Sequence, residues 1–99
     1  MKEVNQEFID NLNWYKNTLK QFKERKKQNI ENRAAFKKHI TFFKSYLKDP
    51  NRNLDGNEIA IVKEHIKELE ESIENSKEIA IQIEENIAQI KNILKNNLF

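Results

Sequence analysis

Few side chains in this chain are of types that do chemistry, and their spacing limits what they could do. His39 follows Arg33 by six residues in Arg33-Ala34-Ala35-Phe36-Lys37-Lys38-His39. A histidine beside an arginine that holds a phosphate is suited to general-base work. The second histidine, His65, is expected to face His39 across a pair of helices, but zinc needs a third protein ligand that the spacing does not supply. The chain has no cysteine, which excludes thiolate metal sites and disulfides. Lys23-Glu24-Arg25-Lys26-Lys27 is a basic run able to contact phosphates. No aromatic residue interrupts it for base stacking, and a solvated charged face is the simpler reading. The sequence therefore specifies no catalytic residue, no metal ligand, no cofactor and no evident small-molecule site. A non-enzyme is expected.

Two of these patterns carry partial resemblances. The Arg33-to-His39 spacing is similar to that of the HEPN family of helical ribonucleases, which implies a ribonuclease or toxin–antitoxin component as a third functional reading. Asn51-Arg52-Asn53-Leu54-Asp55-Gly56 resembles the opening of a calcium-binding loop, with oxygen-bearing residues at alternate positions and then Gly. Its first ligand is Asn instead of Asp, and Val62 stands where the closing bidentate Glu belongs, so an ordinary turn is expected.

The elements that position these residues are set by composition and periodicity. Of 99 residues, 34% are charged and 37% hydrophobic, with one Gly and one Pro. Such a chain favours long helices. Residues 1–50 carry twelve Lys/Arg against six Asp/Glu, a net of +6, and residues 51–99 carry six against ten, a net of −4. Opposite charge on successive halves suits two helices lying side by side. The amino terminus lacks the apolar stretch of a signal peptide, and no apolar run approaches a membrane span. A cytoplasmic location and no membrane partner are expected, with export by an unconventional route as the alternative.

Heptad spacing is sustained on both sides of a single turn signal, Asp49-Pro50 to Asn57. The first seam reads Phe8, Leu12, Tyr15, Leu19, Phe22, Lys26, Asn29, Arg33, Phe36, Ile40, Phe43, Leu47. The second reads Ile59, Val62, Ile66, Leu69, Ile73, Ser76, Ala80, Ile83, Ile87, Ile90, Leu94, Asn97. This period belongs to helices and not to strands. The expectation is an all-α, single-domain protein over 1–99, a long antiparallel two-helix hairpin with helices at about 3–48 and 57–97 joined by a turn at 49–57. The short turn sets the register: Phe36 should meet Leu69, and Phe22 should meet Ile83. Lys23 and Lys37 should then face Glu84 and Glu70. Lys26, Asn29 and Arg33, polar in the seam, should oppose Ser76 to Ala80. The alternative is a break near Lys26–Asn32, but no Gly or Pro is there to cause one. Asp55 or Asn57 should cap the second helix.

Apolar residues off the seam are the remaining signal. Ile9, Trp14, Ile30, Ala34, Ala35, Phe42 and Tyr46 lie outside it in the first segment, and Ile61, Ile79, Ile81, Ala88, Ile93 and Leu98 in the second. A two-helix seam leaves these wet, whereas a helical bundle covers them. A protein partner or a homo-oligomer is expected, touching Ile79, Ile81 and Ala88, next to Ala34 and Ala35. The expected function is a protein–protein interaction module of inhibitor, adaptor, secretion-partner or assembly type. A nucleic-acid binder using the basic first helix is the alternative. In size and shape the chain is similar to the small exported helical hairpins of type VII secretion. It departs from them in having Leu54-Asp55-Gly56 where they have Trp-x-Gly, and in lacking their carboxy-terminal Tyr-x-x-x-acid signal.

Overall fold

The computed structural model describes residues 6–97, so the expected helix start at residue 3 and the off-seam Leu98 lie outside the described residues. It contains two helices, α1 (Gln6–Lys48) and α2 (Gly56–Asn97), which form an antiparallel hairpin. Helix α1 runs through Lys26–Arg33 without a break. Heptad phase is kept across that stretch, and nothing in it removes a backbone donor.

The turn is built by two aspartates. Asp49 ends α1: its carbonyl accepts from Arg52 N–H at 3.2 Å, closing a four-residue turn with Pro50 in second place. Its side-chain Oδ1 accepts from Asn51 N–H at 2.9 Å, and its Oδ2 lies 3.4 Å from Arg52 Nε. The Arg52 guanidinium sits 4.0 Å from the Tyr46 ring centre, tying the turn to the last turn of α1. Asp55 starts α2 by accepting from Glu58 N–H at 2.7 Å, and its carbonyl takes the first helical bond, from Ile59 N–H at 3.1 Å. This is the N-cap role expected of Asp55, and it commits one of the oxygens that a calcium loop would need. Gly56 has an ordinary negative φ, so the turn makes no use of its conformational freedom.

The helices pair within two compact units. The turn unit is Asn29–Ile79, and the end unit takes in residues up to Gln28 and from Ala80 onward. In the turn unit the buried apolar side chains are Ile66, Leu69 and Ile73; in the end unit they are Ile83, Ile87 and Ile90. All six lie on α2 and on its predicted seam. The facing seam of α1 is rich in rings, and Phe22, Phe36 and Phe43 are half-buried on it. Lys26 and Phe8 are the exposed members of the α1 seam. Each wholly buried Ile or Leu is worth about 1.5–3 kcal/mol. Among the described residues, no side chain reaches complete burial.

The register agrees with the turn-based expectation to within one helical turn. Asn29 Nδ2 donates to Ser76 C=O at 3.2 Å, placing the polar seam residue against the small stretch as expected. Neither expected ion pair is found among the described residues: Glu84 pairs with Lys26, a turn away from Lys23, and Lys37 and Glu70 form no bridge. Lys26 sits at the seam edge, where its stem crosses apolar surface and its ammonium reaches out to the carboxylate. Both partners are about half exposed, so the pair contributes about 0–1 kcal/mol.

The cap and its neighbour give changes of opposite sign. Asp55→Ala should cost about 1 kcal/mol in urea unfolding. Gly56→Ala should gain about 0.4–1 kcal/mol, because an added Cβ meets nothing within 4 Å and the unfolded chain loses freedom. A destabilised Gly56→Ala variant would contradict the turn geometry. The Asn29–Ser76 layer supplies a further check. Asn29 Oδ1 and Ser76 Oγ are buried with no hydrogen-bond partner. Ser76→Ala should therefore raise stability by about 1 kcal/mol or more. Asn29→Leu combined with Ser76→Ala should melt higher still but lose the constraint on helix register, read as heterogeneous cross-strand disulfide trapping.

Candidate protein-interaction surface

Sorting the off-seam residues by flank separates two chemically different faces. Let Leu12, Leu19, Lys26, Arg33, Ile40 and Leu47 of α1, and Ile59, Ile66, Ile73, Ala80, Ile87 and Leu94 of α2, occupy heptad position a. In antiparallel helices, positions g and c then line one flank on both helices, and e and b line the other.

Within the turn unit, the e/b flank carries Lys37, Lys44, Lys48, Lys63, Lys67 and Lys77 against Glu70 and Glu74. Lys77 is held by Glu74 at 3.0 Å. The g/c flank of the same unit carries only two charges, Glu58 and Glu68. It holds instead Phe42, Tyr46, Ile61, His65 and Ile79, with Ala35 and Ser72 as small residues among them.

The residues of this flank nearest the turn form one aromatic and aliphatic cluster. Phe42 lies edge-on to Phe43 with ring centres 5.3 Å apart, and is 6.4 Å from Tyr46. Across the seam, Phe43 packs edge-to-face with His65 at 4.9 Å. On its own helix the Glu68 carboxylate lies 3.7 Å from His65 Nδ1. Phe43, Ile61, Val62 and His65 border an open groove of about 390 Å³. Phe42 and Ile61 remain 59% and 61% exposed, although both are large and apolar. Interface cores are depleted in charge and enriched in such aromatic side chains, which is the composition of this flank.

The expected contact residues fall on different flanks. In the turn unit, Ile79 (49% exposed) and Ala35 lie on the weakly charged flank, while Ala34 lies on the lysine-bearing one. In the end unit, Ile81 (61% exposed) and Ala88 lie on the e/b flank, whose α1 residues there include Lys16, Lys20, Lys23 and Lys27. Phe42, Tyr46 and Ile61 were legible only as stray apolar residues; heptad letters would have shown that they share a side.

The chemistry weighed from sequence is dispersed. The ring against His65 is Phe43 and not His39, which is exposed on α1. Arg33 is half-buried at the seam and His39 sits on the flank, so the two point different ways around the helix. Among the described residues, no group of three or more His, Asp or Glu is placed to hold a metal ion. The basic run is split as well. Lys26 is engaged by Glu84, the Arg25 guanidinium lies 5.4 Å from the Phe22 ring centre, and Lys23 and Lys27 lie on the opposite flank from Arg25. No described helix is long and apolar enough to cross a membrane.

No protein-family model matches the chain, and no curated protein or solved structure is significantly similar to it.

An exposed contact residue and a core residue respond differently to truncation. In dilute solution, Phe42→Ala and Ile61→Ala should each change the unfolding free energy by less than about 0.5 kcal/mol. Ile66→Ala, which truncates a buried core side chain, should cost about 2–5 kcal/mol. Thermal or urea denaturation followed by circular dichroism distinguishes them.

Proposed function

We propose that this protein is a non-enzymatic helical-hairpin interaction module that docks another protein surface through the weakly charged g/c flank of its turn unit. The observation that carries this reading is the exposure of Phe42 and Ile61 beside Tyr46 and His65, on a flank with two charges, while the opposite flank bears eight. Of the four exposed large apolar residues of the turn unit, Phe42, Ile61 and Ile79 lie on this flank and Ile30 on the other. Contiguous exposed apolar surface rimmed by polar residues is the ordinary mark of a protein-binding face. The turn aspartates and the Arg52–Tyr46 contact hold Tyr46 and its neighbours in place, so the surface is formed before a partner arrives.

A nucleic-acid-binding role is the second reading, favoured by Lys16, Lys20, Lys23 and Lys27 on one flank of the end unit. Lys91 and Lys95 of α2 lie on the same flank, where Glu84 is the one acidic residue and pairs with Lys26 of the seam; what counts against this reading is that no aromatic residue interrupts the basic run to stack on bases.

Site-specific photo-cross-linking in the cells that make the protein tests the choice. A photoreactive residue at position 42 or 61 should give a discrete protein adduct, and the same residue at position 37 or 67 should not. Equal adducts from both flanks, or cross-links to nucleic acid from the lysine flank alone, would overturn the reading.

A further inference from the structure

We propose that the lysine-bearing e/b flank of the end unit is a second binding surface, and that it rests on the face of a bilayer rich in anionic phospholipid. This goes beyond the protein-docking reading, because it concerns the other flank and the other unit. The expectation of no membrane partner followed from the absence of a span, which contact with lipid headgroups does not require.

The first observation is how completely charge is sorted around the helices. Among the described residues, twelve of the fourteen lysines stand at e or b. Position f is the reverse, with seven carboxylates and one lysine. In the end unit the e/b flank carries Lys16, Lys20, Lys23, Lys27, Lys91 and Lys95, all exposed, against Glu84, a net of +5. Glu84 is committed to Lys26 of the seam, and the six flank lysines form no ion pair among the described residues. The row from Lys16 to Lys27 is about 16 Å long at 1.5 Å per residue. The turn unit, taken by itself, repeats the pattern with six lysines against Glu70 and Glu74. Folding does not call for such rows, since like charges three and four residues apart on a helix repel one another. A negatively charged ligand offsets that repulsion.

The second observation is what accompanies the lysines. Every described aromatic residue and arginine of the two helices stands at a, c, d or g, so the e/b flanks have neither. Nucleic-acid sites draw on both: rings stack on unpaired bases, and the guanidinium fork matches phosphate geometry. A duplex major groove about 12 Å wide admits one helix, and two helices packed about 8–10 Å apart are too broad for it. What stands among the lysines here is aliphatic. Ile81 is 61% exposed on this flank, and Ala88 follows it one heptad along α2. An isoleucine held against phosphates gains nothing. At a bilayer surface it enters the boundary between headgroups and acyl chains, while the lysine stems keep their ammonium groups among the headgroups. Lysine's compact charge suits a diffuse surface potential, which asks for no fixed geometry.

The test mixes the purified full-length chain at low salt with vesicles of phosphatidylcholine, either alone or with about one-third phosphatidylglycerol, and reads binding by co-sedimentation. The chain should bind the anionic vesicles and not the neutral ones, and binding should weaken as salt rises. Lys16→Gln, Lys20→Gln and Lys23→Gln combined should weaken it about a hundredfold, at about fivefold per lysine. Arg25→Gln, which removes one charge from the other flank of the same unit, should change it by less than about twofold. Ile81→Ser should weaken it about tenfold at constant salt, with helicity by circular dichroism unchanged. Trp14, the one tryptophan, is 60% exposed on the g/c flank and gives a readout that needs no variant. Its emission and its quenching by acrylamide should stay the same when vesicles are bound. No binding to anionic vesicles overturns the proposal, and so does binding indifferent to Ile81→Ser. Tighter binding to DNA or RNA than to the vesicles, with the same dependence on the three lysines, would assign the flank to phosphate backbones and equally overturn it. A Trp14 shielded by vesicles would put the lipid on the wrong flank.

Discussion

Everything in this molecule depends on one apolar seam shared by two helices. A two-helix contact can bury only a stripe of each partner, and the cost of ordering more than ninety residues falls on that stripe. The chain meets the demand with isoleucine and leucine on α2 and overhanging rings on α1. Rings are the efficient choice where only one neighbour is available. A phenylalanine at the seam covers the smaller side chain opposite, even while its own outer edge stays wet. The consequence is a core without a centre. Among the described residues the best-buried apolar side chain, that of Ile87, keeps 5% of its surface accessible.

A thin core makes its polar members consequential. Asn29 against the Ser76 carbonyl sits in the middle of both seams, where an aliphatic pair would contribute more stability. A buried amide restricts which layers can pair, because sliding the helices by a heptad would set it against the bulky Leu69 or Ile83 in place of the small Ser76, whose carbonyl it reaches. Repetitive isoleucine heptads such as those of α2 would otherwise tolerate several alignments. The turn acts in the same direction. Asp49 closes α1 and Asp55 opens α2 over a span too short for slippage, and Arg52 clamps the turn onto Tyr46. Register is thus set at two places, one in the helices and one at their junction.

Those two devices also organise the outer surface. Once the register is held, the g positions of the two helices must lie on a common side, and so must the e positions. Lysines then gather on one flank of the turn unit and aromatic and aliphatic residues on the other. Neither gathering is visible in a linear reading, because each helix supplies half of it. The Phe43–His65 contact shows how the seam and the flank join: one ring belongs to the core layer and the other to the outer face.

Much of this was legible in the residues themselves. Two uninterrupted heptad series around one Pro/Asp/Gly-bearing turn dictated two helices, an antiparallel hairpin, the seam and the capping role of Asp55, because these depend on local spacing and backbone chemistry. The polar seam stretch opposite Ser76 followed from turn length alone. Tertiary structure decided what depends on distance across the hairpin. It gave Glu84 to Lys26 and not to Lys23, and it put Phe43 against His65 where His39 had been expected. The physical reason is that a side chain turns through about 100° with each residue along a helix. Spacing along the chain tells which residues share a stripe on one helix. Only the paired helices tell which stripes adjoin, and within one turn of register the identity of every cross-strand neighbour changes.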